Sequence, residues 1–235
     1  MLELNQYKFK TEFHAHTNPA SACGDFPPEE VVKKYADIGY DSIVISNHFY
    51  PGMRYFGEKE KCLKAYFEDY YKAVDAGEKY NINVILGCEI RFSENFNDYL
   101  LFGIDSQLLS DAYDYIDKGV EAFSKWFKND SRVLVQAHPF RSSCTLVNPS
   151  YLDGVESFNM HPGHNSRVGL AAKYAKEHDF IVTAGTDFHH ETHQGMAAVL
   201  TKNEIKNSAD AAKVLKERDY LFEIGKSIVL PYGIK

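Results

Sequence analysis

Histidines and acids recur in this sequence at spacings that suit divalent cations. His14-Ala15-His16 sets two imidazoles one residue apart, and because alternate residues of a strand share a side, both can reach one ion. Asn47-His48, Cys88-Glu89, Ala137-His138-Pro139 and Thr186-Asp187-Phe188-His189 each close a short apolar or β-branched run. One such histidine is more often structural or solvated, but five runs ending alike call for another explanation. Imidazole and carboxylate together suit Zn, Mn or Fe, and the donors exceed what one four-coordinate ion takes. Arg91, Arg141 and Arg167 lie two or three residues past a histidine or acid, where a planar cation can clamp phosphate; for each, a solvated surface role is the competing reading. His161 and His164 are placed to line the same pocket, whereas His178, among Lys176, Glu177 and Asp179, belongs to solvent. Strand alternation turns the Cys88 thiol away from Glu89 and into the core, and Cys23 has no assignable role.

The elements that must position these groups alternate. Strands are expected at 9–14, 42–46, 83–89, 99–104, 132–137, 155–158, 180–183 and 197–201. A helix over 29–38 opens on two acids after Pro27-Pro28 and stops at Gly39; a longer one covers about 58–79, with Leu63, Tyr66, Phe67, Tyr70 and Val74 on one face, and a third covers about 111–128. Strand-then-helix alternation implies parallel strands whose C-terminal ends share one face, so that the ligand candidates meet in one pocket. With no repeat, linker or composition shift, residues 1–235 read as a single α/β domain, closed into a barrel more naturally than spread as an open sheet. Sixteen Phe and 16 Tyr supply ample core volume. A net charge of −7 argues against long nucleic acid as partner. The four scattered cysteines form no disulfide framework, and no apolar run approaches the roughly 18 residues of a membrane helix, so the expectation is a cytoplasmic protein off the membrane.

Taken in order, His14-Ala15-His16-Thr17, Asp25, Asn47-His48, Gly87-Cys88-Glu89, Ala137-His138-Pro139, Glu156-x-x-Asn159 and Gly185-Thr186-Asp187-Phe188-His189 resemble the motifs of the PHP superfamily, the polymerase and histidinol phosphatase phosphoesterases. The resemblance implies a distorted (β/α)7 TIM-like barrel with two or three divalent ions (Zn, Mn or Fe) at one face. It implies that His14, His16, Glu89 and Asp187 hold one ion, that Glu89 bridges to a second also held by His138, and that Asp25, His48 and His189 hold a third. For Asp25 the competing role is a cap for the helix starting near Pro27. Many members carry a further histidine on the fourth strand; here the stretch reads Asn97-Asp98-Tyr99, which leaves either Asp98 as substitute or a weaker second site.

Cations held close together make water nucleophilic near neutral pH and neutralise phosphoryl oxygens, so no Ser or Cys nucleophile is needed. The expected activity is hydrolysis of a small phosphate monoester such as histidinol phosphate, bound by Arg141, Arg167, Arg91 and His161. The alternatives are a nuclease or nucleotide phosphodiesterase on short oligonucleotides and, from another class, a non-catalytic metal-binding regulatory domain. The near-complete ligand set weighs against the last.

Overall fold

The computed structural model describes residues 3–233. Its elements run β1 (Phe9–Ala15), α1 (Pro28–Asp37), β2 (Ser42–Ile45), β3 (His48–Phe49), α2 (Lys59–Tyr80), β4 (Asn83–Leu86), β5 (Cys88–Arg91), β6 (Asp98–Phe102), α3 (Ser106–Ala112), α4 (Gly119–Phe127), β7 (Val133–Gln136), β8 (Gly154–Asn159), α5 (Val168–Glu177), β9 (Ile181–Gly185), β10 (Ala197–Thr201), α6 (Ser208–Glu217), β11 (Leu221–Ile224) and β12 (Ser227–Val229). The strands form two six-stranded sheets, ordered β12-β11-β10-β1-β2-β4 and β3-β5-β6-β7-β8-β9.

This is a mixed α/β fold, and among the described residues the strand ladders do not close into the single barrel expected. Two expected strands break where the sheets part: 42–46 stops at Ile45 and resumes as β3, and 83–89 divides at Gly87 into β4 and β5. On the other side, an isolated parallel bridge between Ala15 and Phe188 links β1 to the segment after β9. The strands are also not all parallel. β6 pairs antiparallel with β5 and β7, because the short 92–97 connection cannot carry a crossover, and β1 pairs antiparallel with β10. β11 and β12 extend the first sheet beyond the expected strands.

The helices cover the strands much as their sequences ask. α1 takes Pro28 in its first turn, carries Glu29 and Glu30 there, and buries Val31, Val32 and Tyr35. α2 ends on Asn81 in the left-handed conformation, but its most buried face runs through Cys62, Tyr66, Asp69 and Ala73, leaving Leu63, Phe67 and Tyr70 only partly covered. The expected helix at 111–128 is instead α3, a 3-10 segment (Tyr113–Lys118) and α4. The break falls at Gly119 (φ +80°), where a Cβ would lie 2.3 Å from Glu94 Oε2. Glu94 Oε1 in turn accepts from Val120 N at 2.9 Å, satisfying a free amide at the start of α4. No helix of the described residues is long and apolar enough to cross a membrane.

Candidate metal centre

β1 delivers His14 and, one residue past its end, His16, both fully buried. The two Nε2 atoms lie 3.1 Å apart. Asp187 Oδ1 sits 3.4 Å from His14 Nε2 and 3.3 Å from His16 Nε2. From β5, Glu89 Oε1 lies 3.4 Å from His14 Nε2 and 3.1 Å from His138 Nε2, while Oε2 lies 3.4 Å from His16 Nε2 and 2.7 Å from His48 Nδ1. One buried carboxylate thus faces four imidazoles. His189 stacks on His16 with ring centroids 4.3 Å apart and packs 5.9 Å from His48.

Local backbone features make this convergence possible. His138 (φ 29°) and Asp187 (φ 54°) both adopt the left-handed region that non-glycine residues avoid, so surrounding contacts hold two ligand candidates in strained positions. At Gly185 a Cβ would stand 2.4 Å from that of His14, so only glycine lets β9 approach β1 here. Glu156 on β8 reaches His14 Nδ1 at 2.8 Å and accepts from His138 N at 3.1 Å. Asn159 Nδ2 donates to Glu156 Oε2 at 3.0 Å and to Asp187 Oδ2 at 3.1 Å. Behind His16, Ser21 Oγ lies 3.1 Å from Nδ1 and accepts from His48 N at 2.9 Å. The contacts at His14 Nδ1 and His16 Nδ1 leave the Nε2 of each ring toward the shared interior, while those at His138 N and His48 N hold the backbone beside it.

Electrostatics follow from burial and proximity. Burial opposes an imidazolium at His14, but Glu156, Asp187 and Glu89 outweigh it and raise that group well above the ordinary histidine range. At His48 burial is likewise outweighed, chiefly by Glu89, and the group is raised well above its usual value. His138 rises to about 10 against burial, through Cys144 and Glu89. His16 goes the other way, pushed well below by burial and by its neighbours His189 and His48. Burial would raise Glu89 and Asp187, yet the surrounding imidazoles hold both well below the usual carboxylate range. Buried anions matched by protonated rings are the arrangement a cation would replace.

Three groups of donors have ligand atoms within 4.8 Å of one another: His14, His16 and Glu89; His16, His48 and His189; His48, Glu89 and Asp98. Asp25 is not brought to them. Its side chain, 55% exposed, pairs with His190 at 2.9 Å, and the helix start at Pro27 receives no side-chain cap either. The turn after Ser21 carries the Asp25 carboxylate past the site, and Cys23 in the same turn is exposed. Partial burial would push the Cys23 thiol up, but the influence of the His189 and His48 imidazoles brings it down to about 6.

The other candidates divide. Asp98, 1% exposed, is clamped by Arg91 at 2.7 and 2.8 Å and by Arg141 at 3.1 Å, and lies 3.8 Å from His138 Nε2. Arg91 and Arg141 therefore reach the rim of the cluster on a shared acid. Arg167 is exposed and donates to Phe140 O at 3.1 Å. His161 stacks on His164 with centroids 3.8 Å apart, and His164 Nδ1 lies 3.6 Å from Asp187 Oδ2. Cys88 is fully buried, as strand alternation requires. Cys144, whose Sγ lies 3.7 Å from His138 Nδ1, and Cys23 carried no sequence signal, since a lone cysteine in a loop has no spacing to read.

The same architecture occurs in solved structures of low sequence identity. A two-domain protein from Bacteroides vulgatus containing a predicted PHP-like metal-dependent phosphoesterase superposes with a TM-score of 0.66 at 16% identity, covering 97% of this chain and 68% of that one. A protein from Bifidobacterium adolescentis, provisionally described as a metal-dependent phosphoesterase, gives 0.52 at 15% identity over 87% of this chain and 95% of its own. An amidohydrolase from Chromobacterium violaceum, with bound sulfate and no metal, gives 0.55 at 14% identity over 77% and 88%. No curated protein matches the chain in sequence. The PHP domain family matches residues 12–227, nearly the whole length, and the chain belongs to that family.

Proposed function

We propose that this chain is a metal-dependent hydrolase of phosphoester bonds, acting on a small phosphate monoester. The observation that carries the reading is Glu89, a carboxylate without exposed surface set against His14, His16, His48 and His138 at 2.7 to 3.4 Å. The donor set fits divalent ions, because Glu89 Oε2 is buried yet has no aligned hydrogen-bond donor, as expected of an oxygen meant for a cation. On this reading His14, His16, Glu89 and Asp187 hold one ion, Glu89 and His138 a second, and His48 and His189 belong to a third. Family membership and the fold likeness support it.

Divalent ions there would supply an activated water and neutralise charge on the phosphoryl oxygens. The chain's own residues do the rest. Glu156 and Asn159 fix the orientation of His14 and Asp187, and Arg141, held by Asp98, presents its fork toward the substrate phosphate beside His138. His161 and His164 form one wall of the entrance. The short loops and the acidic balance of 33 acids to 26 basic residues favour small ligands over long nucleic acid. Four unpaired cysteines agree with a reducing cytoplasm. The bridge between Ala15 and Phe188 supports reading the two sheets as walls of a distorted (β/α)7 barrel.

The test is a hydrolysis screen with Zn, Mn and Fe over sugar phosphates, histidinol phosphate, nucleotides, short oligonucleotides and, given the amidohydrolase likeness, simple amides. A small monoester should be turned over with the highest kcat/KM. Preference for an oligonucleotide or an amide would overturn the substrate class.

A further inference from the structure

The most buried face of α2 carries an acid: Asp69, 1% exposed, stands among Cys62, Tyr66 and Ala73. Taking a carboxylate out of water is costly, and packing alone gives no reason for one here. Its Oδ2 accepts from Thr17 Oγ1 and, at 3.2 Å, from Nδ2 of Asn47, which lies in the break between β2 and β3. One turn earlier on α2, Tyr66 donates to Asn47 O at 3.1 Å. From Asn47 the donor and acceptor roles follow in order. Thr17 N is a backbone donor 2.7 Å from one side-chain atom of Asn47, so that atom is the oxygen, Oδ1. Ser21 Oγ, 2.9 Å from the same oxygen, must give it a proton, and it accepts from His48 N at 2.9 Å. With its one proton spent, Ser21 can only accept from His16 Nδ1 at 3.1 Å. His16 then carries its proton on Nδ1 and keeps a lone pair at Nε2, the nitrogen that faces Asp187 Oδ1 at 3.3 Å and Glu89 Oε2 at 3.4 Å.

We propose that Asn47 and Asp69 are positioning residues of the metal centre: acting through Ser21, they hold the His16 proton on Nδ1 and leave Nε2 open for a cation. The inference rests on the metal-centre reading above. A neutral imidazole can carry its proton on either nitrogen, and only the bare one ligates. Asp69 matters because it takes the Asn47 amide nitrogen and so keeps the amide oxygen turned toward Ser21. Without that oxygen the Ser21 hydroxyl is free to donate to His16 Nδ1, which sends the ring proton to Nε2 and closes the ligating position.

Long-range proton–nitrogen NMR spectra of the metal-free protein test it, with the His16 ring signals assigned by their loss in His16→Gln. Wild type should show a protonated Nδ1 and a bare Nε2, and Asn47→Ala should move the proton to Nε2. Asn47→Asp alone sets two carboxylates against each other, whereas joining it to Asp69→Asn exchanges acid and amide and should return the proton to Nδ1. Zinc affinity, read by competition with a chelating dye, should fall about 10-fold in Asn47→Ala and recover in the exchanged double variant. A proton on His16 Nε2 in the wild type overturns the assignment even if no variant folds. So does a folded Asn47→Ala that keeps the wild-type tautomer, or a folded double variant that fails to restore it; all three leave the metal centre standing. Wild type that binds no zinc overturns the metal centre, and this role with it.

Discussion

Glu156 Oε1 sits 2.8 Å from His14 Nδ1, and neither side chain exposes any surface. That contact fixes which nitrogen of His14 faces Glu89 and Asp187, the usual task of a carboxylate behind a ligating histidine. Glu156→Gln leaves one oxygen where His14, His138 and Asn159 now draw on two. Metal affinity should fall roughly 10–100-fold, read by competition with a chelating dye. Unchanged affinity would remove Glu156 from any orienting role.

Arg141 reaches Asp98 at 3.1 Å and stands beside His138, with Nη1 3.5 Å from Nε2. Loss of a charge-assisted contact to phosphate is worth about 1.5–3 kcal/mol, so Arg141→Ala should raise KM for a phosphomonoester roughly 10–100-fold. Inhibition by inorganic phosphate should weaken in parallel, and Arg141→Lys should not restore it, because an ammonium lacks the planar fork. A KM equal to wild type would place the phosphate elsewhere.

Metal-free protein should respond to alkali through His138. Its folded value, about 10 against an ordinary 6.5, is raised, so the stabilisation is complete below about pH 6.5 and is lost as pH rises through 10. Measured by chemical denaturation in chelator, the advantage of wild type over His138→Gln should shrink from pH 7 to 10. With metal bound the trend reverses, since ligation needs neutral imidazole, and metal content should fall below about pH 6. An advantage independent of pH in the chelated protein would contradict the charge pairing with Glu89.

Glu12 offers a second pH readout beneath the site. Burial raises it from 4.5 to about 7, even though Thr186, His14 and Tyr35 donate to its oxygens. Because the folded value is the higher one, its stabilisation is present below about pH 4.5 and is lost as pH rises through 7. Glu12→Gln keeps an acceptor for the two amides and should flatten the fall in stability between pH 4.5 and 7. An unchanged slope would assign it to other groups.

Much of this was legible in the sequence because a strand's period and a ligand's chemistry are both local. His14-x-His16 on one strand end and Asp187-x-His189 on another need only alternation and a shared face to be brought together. The α4 boundary was not legible, because it depends on Glu94 reaching a distant amide at Val120. Nor was the antiparallel turn of β6, which hangs on a connection too short for a crossover. Nor was the outward turn of Asp25, because spacing alone does not tell which way a loop carboxylate points. The Ser21 and His189 backbone contacts decide it, and they form only once the sheets are assembled.

The most direct test of the central claim is to measure bound Zn, Mn and Fe by elemental analysis, and phosphomonoester hydrolysis on the same samples, through chelation and metal restoration. The account predicts that rate follows bound metal, vanishes in the metal-free protein and returns on reloading. A metal-free sample that hydrolyses at the original rate, or a folded protein that binds none of the three metals, would contradict it.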